Sequence, residues 1–227
     1  MNGHKSKLLI SLKDITKGFL DKKPLFSGLE MDVHRGEFLF LTGISGAGKS
    51  TLFKLLIGIE LPDEGEVNVG GRRVHALTPR EMAYHRRKMG IVFQDYKLLP
   101  RKTAQENIAV PLEIMGLSAQ KIEKKIKQQA RKLDIDYLLN QRIESLSGGE
   151  QQLVAIARAS IHTPQLILAD EPTANLDQKM AGRILNMLLE LNEEGITVII
   201  ATHDINLIKS HNCRILLIKN SVLREVS

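Results

Sequence analysis

The sequence predicts an α/β domain with a mainly parallel sheet, interrupted by a helical lobe. Two observations carry this. Short β-branched and leucine-rich runs, each followed by Gly, Asp or Asn, alternate with helical patterns. From about Gln94 to Thr163 the strand signal vanishes and helical periodicity takes over. The expected division is one domain over residues 1–227, with a core of about 1–93 and 164–227 and a helical subdomain of about 94–163.

Glu37–Thr42 reads as a buried strand running into a glycine loop, and Lys49–Ile59 as the helix after it. Thr78-Pro79-Arg80-Glu81 combines a capping box with proline at the first helical position, and Thr103-Ala104-Gln105-Glu106 is a second box. Ser118–Leu133 places Ile122, Ile126, Ala130 and Leu133 on one helical face. Gln165–Ala169 is a second buried strand. Asp177 caps a helix with Ala181, Ile184, Leu185, Leu188 and Leu191 on its apolar face and Gly195 past its end. Ile196–Ala201 and Arg214–Lys219 are further strands, and Asn220-Ser221 turns the chain into a short last one.

Composition narrows the function. With 227 residues, 43% hydrophobic and 26% charged, the chain is long enough and apolar enough to bury a core. It has no Trp and only 4% aromatics, which argues against a reader of single-stranded nucleic acid built on stacking platforms. A net charge of +6 favours anionic partners, or reflects lysines on solvated helices. The single Cys213 forms no internal disulfide and fits a reducing compartment. No apolar stretch approaches the roughly 18 residues that span a bilayer, and Met1–Leu12 is too broken for a signal core. The expected location is therefore the cytoplasm.

Gly43-Ile44-Ser45-Gly46-Ala47-Gly48-Lys49-Ser50 satisfies the P-loop pattern, with a strand before it and a helix after it. Its glycines let backbone N–H groups turn inward on phosphate oxygens, and the helix start adds partial positive charge. Lys49 reaches the β- and γ-phosphates, Ser50 ligates Mg²⁺, and Thr51 bonds a more interior phosphate. Leu166–Ala169 is an apolar strand ending in Asp170-Glu171. Asp170 is positioned to hold Mg²⁺, directly or through water, and Glu171 to polarise attacking water. Alone, such an acidic pair is an ordinary strand-end turn; the upstream P-loop changes its reading. Leu146-Ser147-Gly148-Gly149-Glu150 opens the helical run Gln151–Ile161 and makes a second anion-binding helix start. One chain already owns one phosphate cradle, so the second is expected to face the nucleotide of another copy.

These motifs, in this order, resemble the ABC ATPase family over essentially the whole chain. Val92-Phe93-Gln94-Asp95, Asn175-Leu176-Asp177 and Thr202-His203-Asp204 complete the match. The resemblance implies a P-loop core, an N-terminal antiparallel β subdomain, an inserted helical subdomain, and ATP and Mg²⁺ as ligands. It implies that Gln94 contacts Mg²⁺ and water, that His203 contacts the γ-phosphate, and that Phe19 stacks on adenine, although the sequence alone reads Phe19 as a core residue. It also implies that Ser147, Gly148, Gly149 and Glu150 act in trans within a homodimer, and that the Asp177 segment communicates across it. Within the family the chain looks like the cell-division branch, whose partner is a permease-like integral membrane protein at the inner face of the membrane. It is similar, less closely, to ATPases of lipoprotein release and tripartite export. Leu153 and Ala174 depart from the usual Arg and Gly; the lost Arg is expected to weaken positioning of the signature helix, not to remove a catalytic group. Nucleic-acid ATPases with the same heads carry long coiled coils or zinc modules between P-loop and signature, and neither is present here.

The partner contact is expected near Gln94 and Tyr96–Pro111, where Leu98, Leu99 and Pro100 form a docking groove or pack inside the lobe. Two basic runs, Arg72–Lys88 and Lys121–Lys132, read as solvated helix faces or as a surface for anionic lipid.

Overall fold

The computed structural model describes residues 7–19, 23–204, 207–208 and 213–226. They form two compact units, one up to Arg86 and again from Thr197, the other Arg87–Ile196.

In the first unit, β1 (Leu8–Lys17), β2 (Phe26–His34), β4 (Glu64–Val69) and β5 (Arg72–Arg73) form an antiparallel sheet in the order β2-β1-β4-β5. In β2, Leu29, Met31 and Val33 are buried while Glu30, Asp32 and His34 are exposed, the period-two pattern of a sheet with one wet face. β3 (Phe38–Thr42) lies between β8 (Thr197–Ala201) and β9 (Arg214–Lys219), parallel to both, and β10 (Val222–Val226) pairs antiparallel with β9. Phe38–Leu41 and all of β8 are buried, as continuous apolar runs in a parallel sheet require. Asn220 (φ 52°) and Ser221 (φ 65°) both take the left-handed conformation of a two-residue hairpin turn.

The helix after the glycine loop, α1 (Lys49–Leu56), ends before the expected Ile59. The Gly58 N–H donates to Leu55 O and the Ile59 N–H to Lys54 O, with Gly58 at φ 67°. This left-handed cap stops the helix whatever the apolar pattern beyond it. α2 (Pro79–Arg86) starts on its capping box: the Thr78 amide and hydroxyl both donate to Glu81 Oε2.

In the second unit, β6 (Met89–Val92) and β7 (Leu166–Asp170) pair in parallel. β6 is too short, at four residues, to stand out as a strand in the sequence. Among the described residues no strand lies between them; α3 (Ala104–Ile114), α4 (Ala119–Lys132) and α5 (Gly148–Ser160) fill the interval, and α6 (Gln178–Glu193) follows β7. α3 opens on the Thr103–Glu106 box, with Lys102 Nζ donating to Glu106 Oε1 at 2.8 Å. Ile126, Ala130 and Leu133 are buried as expected, and Ile122 is half-buried. On α6 the core face gains Met187, while Ala181 is only half-buried. Gly195, at φ 91°, stands past its end.

The basic runs are partly neutralised. Arg72 pairs with Glu81, Arg73 with Glu66, Lys127 with Glu123 and Lys132 with Glu194. Arg86 donates to the carbonyls of Ile57 and Gly58. Among the described residues, no helix is long and apolar enough to cross a membrane.

Candidate nucleotide site

The first unit carries the phosphate cradle. β3 ends at Thr42 and the chain turns through Gly43–Gly48 into α1, with the Ala47 N–H donating to Ile44 O at 3.1 Å. Gly48 sits at φ 107°, and a β-carbon there would lie 2.6 Å from the Phe26 ring, so only glycine fits. No side chain caps α1, and its first turn holds no acid. The first-turn amides and the positive end of the helix dipole are thus presented to an anion. Lys49 is only 8% exposed, and its Nζ donates to Gly43 O at 3.0 Å across the loop. Ser45, Gly46 and Ser50 are exposed, and Ala47 and Thr51 half-buried. A triphosphate fits this arrangement of amides, ammonium and hydroxyls.

Two more expected residues belong to this unit. Phe19 is 46% exposed, not in the core, and Lys17 Nζ stands 5.5 Å from its ring centroid. Leu41 lies opposite Ala201 in the parallel β3–β8 pair, and the Thr202 N–H donates to Leu41 O. Continuing that register brings His203, exposed, and Gly43 out at the same sheet end.

The second unit carries the carboxylates. Val92 lies opposite Ala169, so Gln94 and the Asp170-Glu171 pair leave the same end of adjacent strands. That carboxyl end is where open α/β sheets bind ligands. Glu171 is half-buried at φ 48°, and Asn175 follows at φ 61°. A left-handed non-glycine residue costs about 1–2 kcal/mol, and here it turns Glu171 out of the strand line. Among the described residues, no cluster of three or more His, Cys, Asp or Glu could cage a metal. Mg²⁺ needs no such cage, because it keeps waters and substrate phosphates as most of its ligands.

α5 supplies the second glycine-lined tip. Ser147 Oγ donates to Glu150 Oε2 at 2.7 Å, the Ser147 N–H donates to the same oxygen at 2.9 Å, and the Glu150 N–H returns to Ser147 Oγ at 3.4 Å. These bonds hold the Glu150 carboxyl below its ordinary range. Gly148 and Gly149 already belong to the first turn, and a β-carbon on Gly149 would meet Met180 Cγ at 2.7 Å. Asp177 accepts from the Met180 N–H at 2.8 Å, so its carboxylate caps α6. Leu153 is fully buried, so an apolar side chain fills the place of the family's usual Arg. Leu99 is 46% exposed, Pro100 is exposed and Leu98 half-buried.

Three features escape sequence reasoning centred on glycines. The Ser147-x-x-Glu150 spacing is itself a capping-box signature. Arg158 donates to the carbonyls of Tyr96 and Lys97, each at 2.7 Å, and the Tyr96 hydroxyl packs against Gly148. Nothing in the sequence pattern flags these last two.

Residues 26–174 match the ABC transporter family. The chain is 42% identical over 216 residues to the cell division ATP-binding protein FtsE of Escherichia coli K12, covering 95% of this chain and 97% of that protein. It is 34% identical to FtsE of Bacillus subtilis, covering 95% and 94%. Among solved structures, the dimeric bacterial ABC transporter cassette MJ0796 superposes with a TM-score of 0.87 at 35% identity, covering 96% of this chain and 98% of that one. The same cassette in a post-hydrolysis state bound to ADP and Pi gives 0.87 at 34%. The glycine cradle on α1, the acid pair ending β7 and the second glycine tip on α5 therefore have one source: this chain belongs to the ABC transporter family, as an ATP-binding and ATP-hydrolysing cassette.

Proposed function

We propose that the chain works as a homodimer closed around two ATP molecules, driving a permease-like membrane partner of the FtsX kind in bacterial cell division. The likeness to cell-division ATP-binding proteins over 95% of the chain carries this reading. The chain then sits at the inner face of the membrane, held by that partner through the segment around Leu98–Pro100. Exposed Lys121, Lys124 and Lys125 add attraction to anionic head groups, about 1 kcal/mol per cation near the surface.

In each copy the amides of Gly46–Ser50 and the Lys49 ammonium neutralise the β- and γ-phosphates, and Phe19 stacks on adenine. Ser50, Asp170 and Gln94 would hold Mg²⁺, which would neutralise charge on the phosphate oxygens. Glu171 accepts the proton of the attacking water, and His203 orients it against the γ-phosphate. Ser147 and the Gly149 amide of the second copy close over the same phosphate, with Gly148 and Glu150 shaping that tip and the Asp177 segment linking the two sites. Cleavage breaks the bond between the β- and γ-phosphates, so the two surfaces lose what joined them. Catalysis is thus mostly positioning and charge neutralisation.

The test is Glu171→Gln. ATP binding should persist while turnover falls by at least about 100-fold, as loss of a positioned base requires. Unchanged turnover would remove Glu171 from the mechanism. Co-purification of the wild-type chain with a permease-like membrane protein from the same cells tests the division role; no association would overturn the partner assignment.

A further inference from the structure

Tyr96 and Lys97 follow Gln94-Asp95 and both take left-handed backbone conformations, at φ 57° and 47°. Neither is glycine, so something must hold them there. The Arg158 guanidinium does so. Its Nη1 donates to Lys97 O and its Nη2 to Tyr96 O, each at 2.7 Å. Burial lowers the Arg158 pKa, and among the described residues it has no carboxylate partner. A half-buried cation spent on two backbone carbonyls costs desolvation, and its planar fork spans both carbonyls in a way lysine does not.

Arg158 stands on α5, the helix whose tip carries Ser147 and Gly148. The Tyr96 side chain reaches that tip from the other direction. A β-carbon on Gly148 would lie 3.2 Å from the Tyr96 hydroxyl oxygen. The Gln94 loop is thus fixed to α5 at two places: its backbone to Arg158, and its Tyr96 hydroxyl to the glycine tip.

We propose that Arg158 and Tyr96 are positioning residues forming a strut that makes the Gln94 loop and the signature tip of α5 move as one body. The proposal rests on the reading above, in which that tip closes on a second copy's ATP. A displacement of the Gln94 loop, by γ-phosphate or by a membrane partner, then reaches Ser147 without passing through the P-loop.

The variants are Arg158→Lys, which keeps charge but loses the fork, and Tyr96→Ala, which needs no buried cation removed and stands if the first fails to fold. In the nucleotide-free protein, hydrogen exchange of the 147–151 amides should rise by roughly 3- to 10-fold in each, the size expected for a broken coupling contact. Exchange in β3 and α1 should not change. In steady-state ATPase assays kcat should fall by a similar factor while KM for ATP stays constant. Tyr96→Phe, which removes only the hydroxyl that meets Gly148, should show most of the Tyr96→Ala effect on both. Unaltered exchange at 147–151 in folded Tyr96→Ala would overturn the strut, because that readout needs no dimer. Ser147→Arg separates the underlying reading: if it still forms an ATP-dependent dimer in the Glu171→Gln background, the in-trans role of the tip fails, whatever the exchange data show.

Discussion

The starts of α1 and α5 are both lined by glycine, yet they are built differently. At α1 the cradle is fixed by sterics: Gly48 is wedged under the Phe26 ring, Lys49 is tied back to Gly43, and no side chain covers the first-turn amides. At α5 the start is closed by its own residues, with the Ser147 hydroxyl donated to Glu150 and Gly149 pressed by Met180. One site is preorganised for phosphate before any ligand arrives. At the other the Ser147 hydroxyl is already donated to Glu150, so the proposed contact with a second copy's phosphate would have to replace that internal hydrogen bond.

The largest expected contrast lies in nucleotide binding. Lys49→Ala should weaken ATP affinity by about 100-fold, the worth of a charge-assisted contact to phosphate. Ser147→Ala should leave affinity for the isolated chain unchanged; calorimetry on both variants compares them directly. An equal loss in the two would erase the distinction between preformed and exchanged sites. Next comes packing. Gly48→Ala drives a methyl into Phe26 and should lower stability by about 1–3 kcal/mol in urea unfolding, with nucleotide binding reduced alongside.

A smaller effect should appear at the capped tip. Ser147→Ala removes one cap and should cost about 0.5–2 kcal/mol in stability, with binding intact. The smallest contrast is between Glu150 and Glu106, the acids of two capping boxes. Glu106 is held to about 2 by Lys102 and the Thr103 amide. A depressed carboxylate stabilises the fold above its unfolded pKa, and that contribution disappears as pH falls through the folded value. Thermal melting of Glu106→Gln should therefore show a shallower decline than wild type between pH 4.5 and about 2. High salt should shrink this difference, because Lys102 is exposed and screened. Glu150 is depressed by Ser147 alone, so a Glu150→Gln comparison should be nearly salt-independent.

What the sequence disclosed follows the same physical division. The buried parallel strands β3, β7 and β8 were legible because a strand covered on both faces is an unbroken apolar run. The boxes at Thr78 and Thr103 were legible because capping chemistry is local. β1, β2 and β4 were not read from pattern: the Leu8–Leu12 run is nearly all apolar, and the register of β1 is broken around Asp14 at φ 51°. The end of α1 escaped because one left-handed glycine outweighs the apolar residues after it. Of the site, each motif was visible alone. The pairing of β6 with β7, which sets Gln94 and Glu171 at one sheet end, needed long-range register. So did the meeting of Arg158 with Tyr96, residues far apart in sequence on elements of different kind. The exposure of Phe19 also depends on tertiary packing, which an aromatic residue in a sequence does not reveal.

The claim on which the function rests is that the α5 tip closes on the triphosphate of a second copy. Light scattering of Glu171→Gln with saturating Mg-ATP, alone and combined with Ser147→Arg, tests it most directly. A dimer for the first protein and a monomer for the second is the expected result. A monomer for both, or a dimer for both, would contradict it.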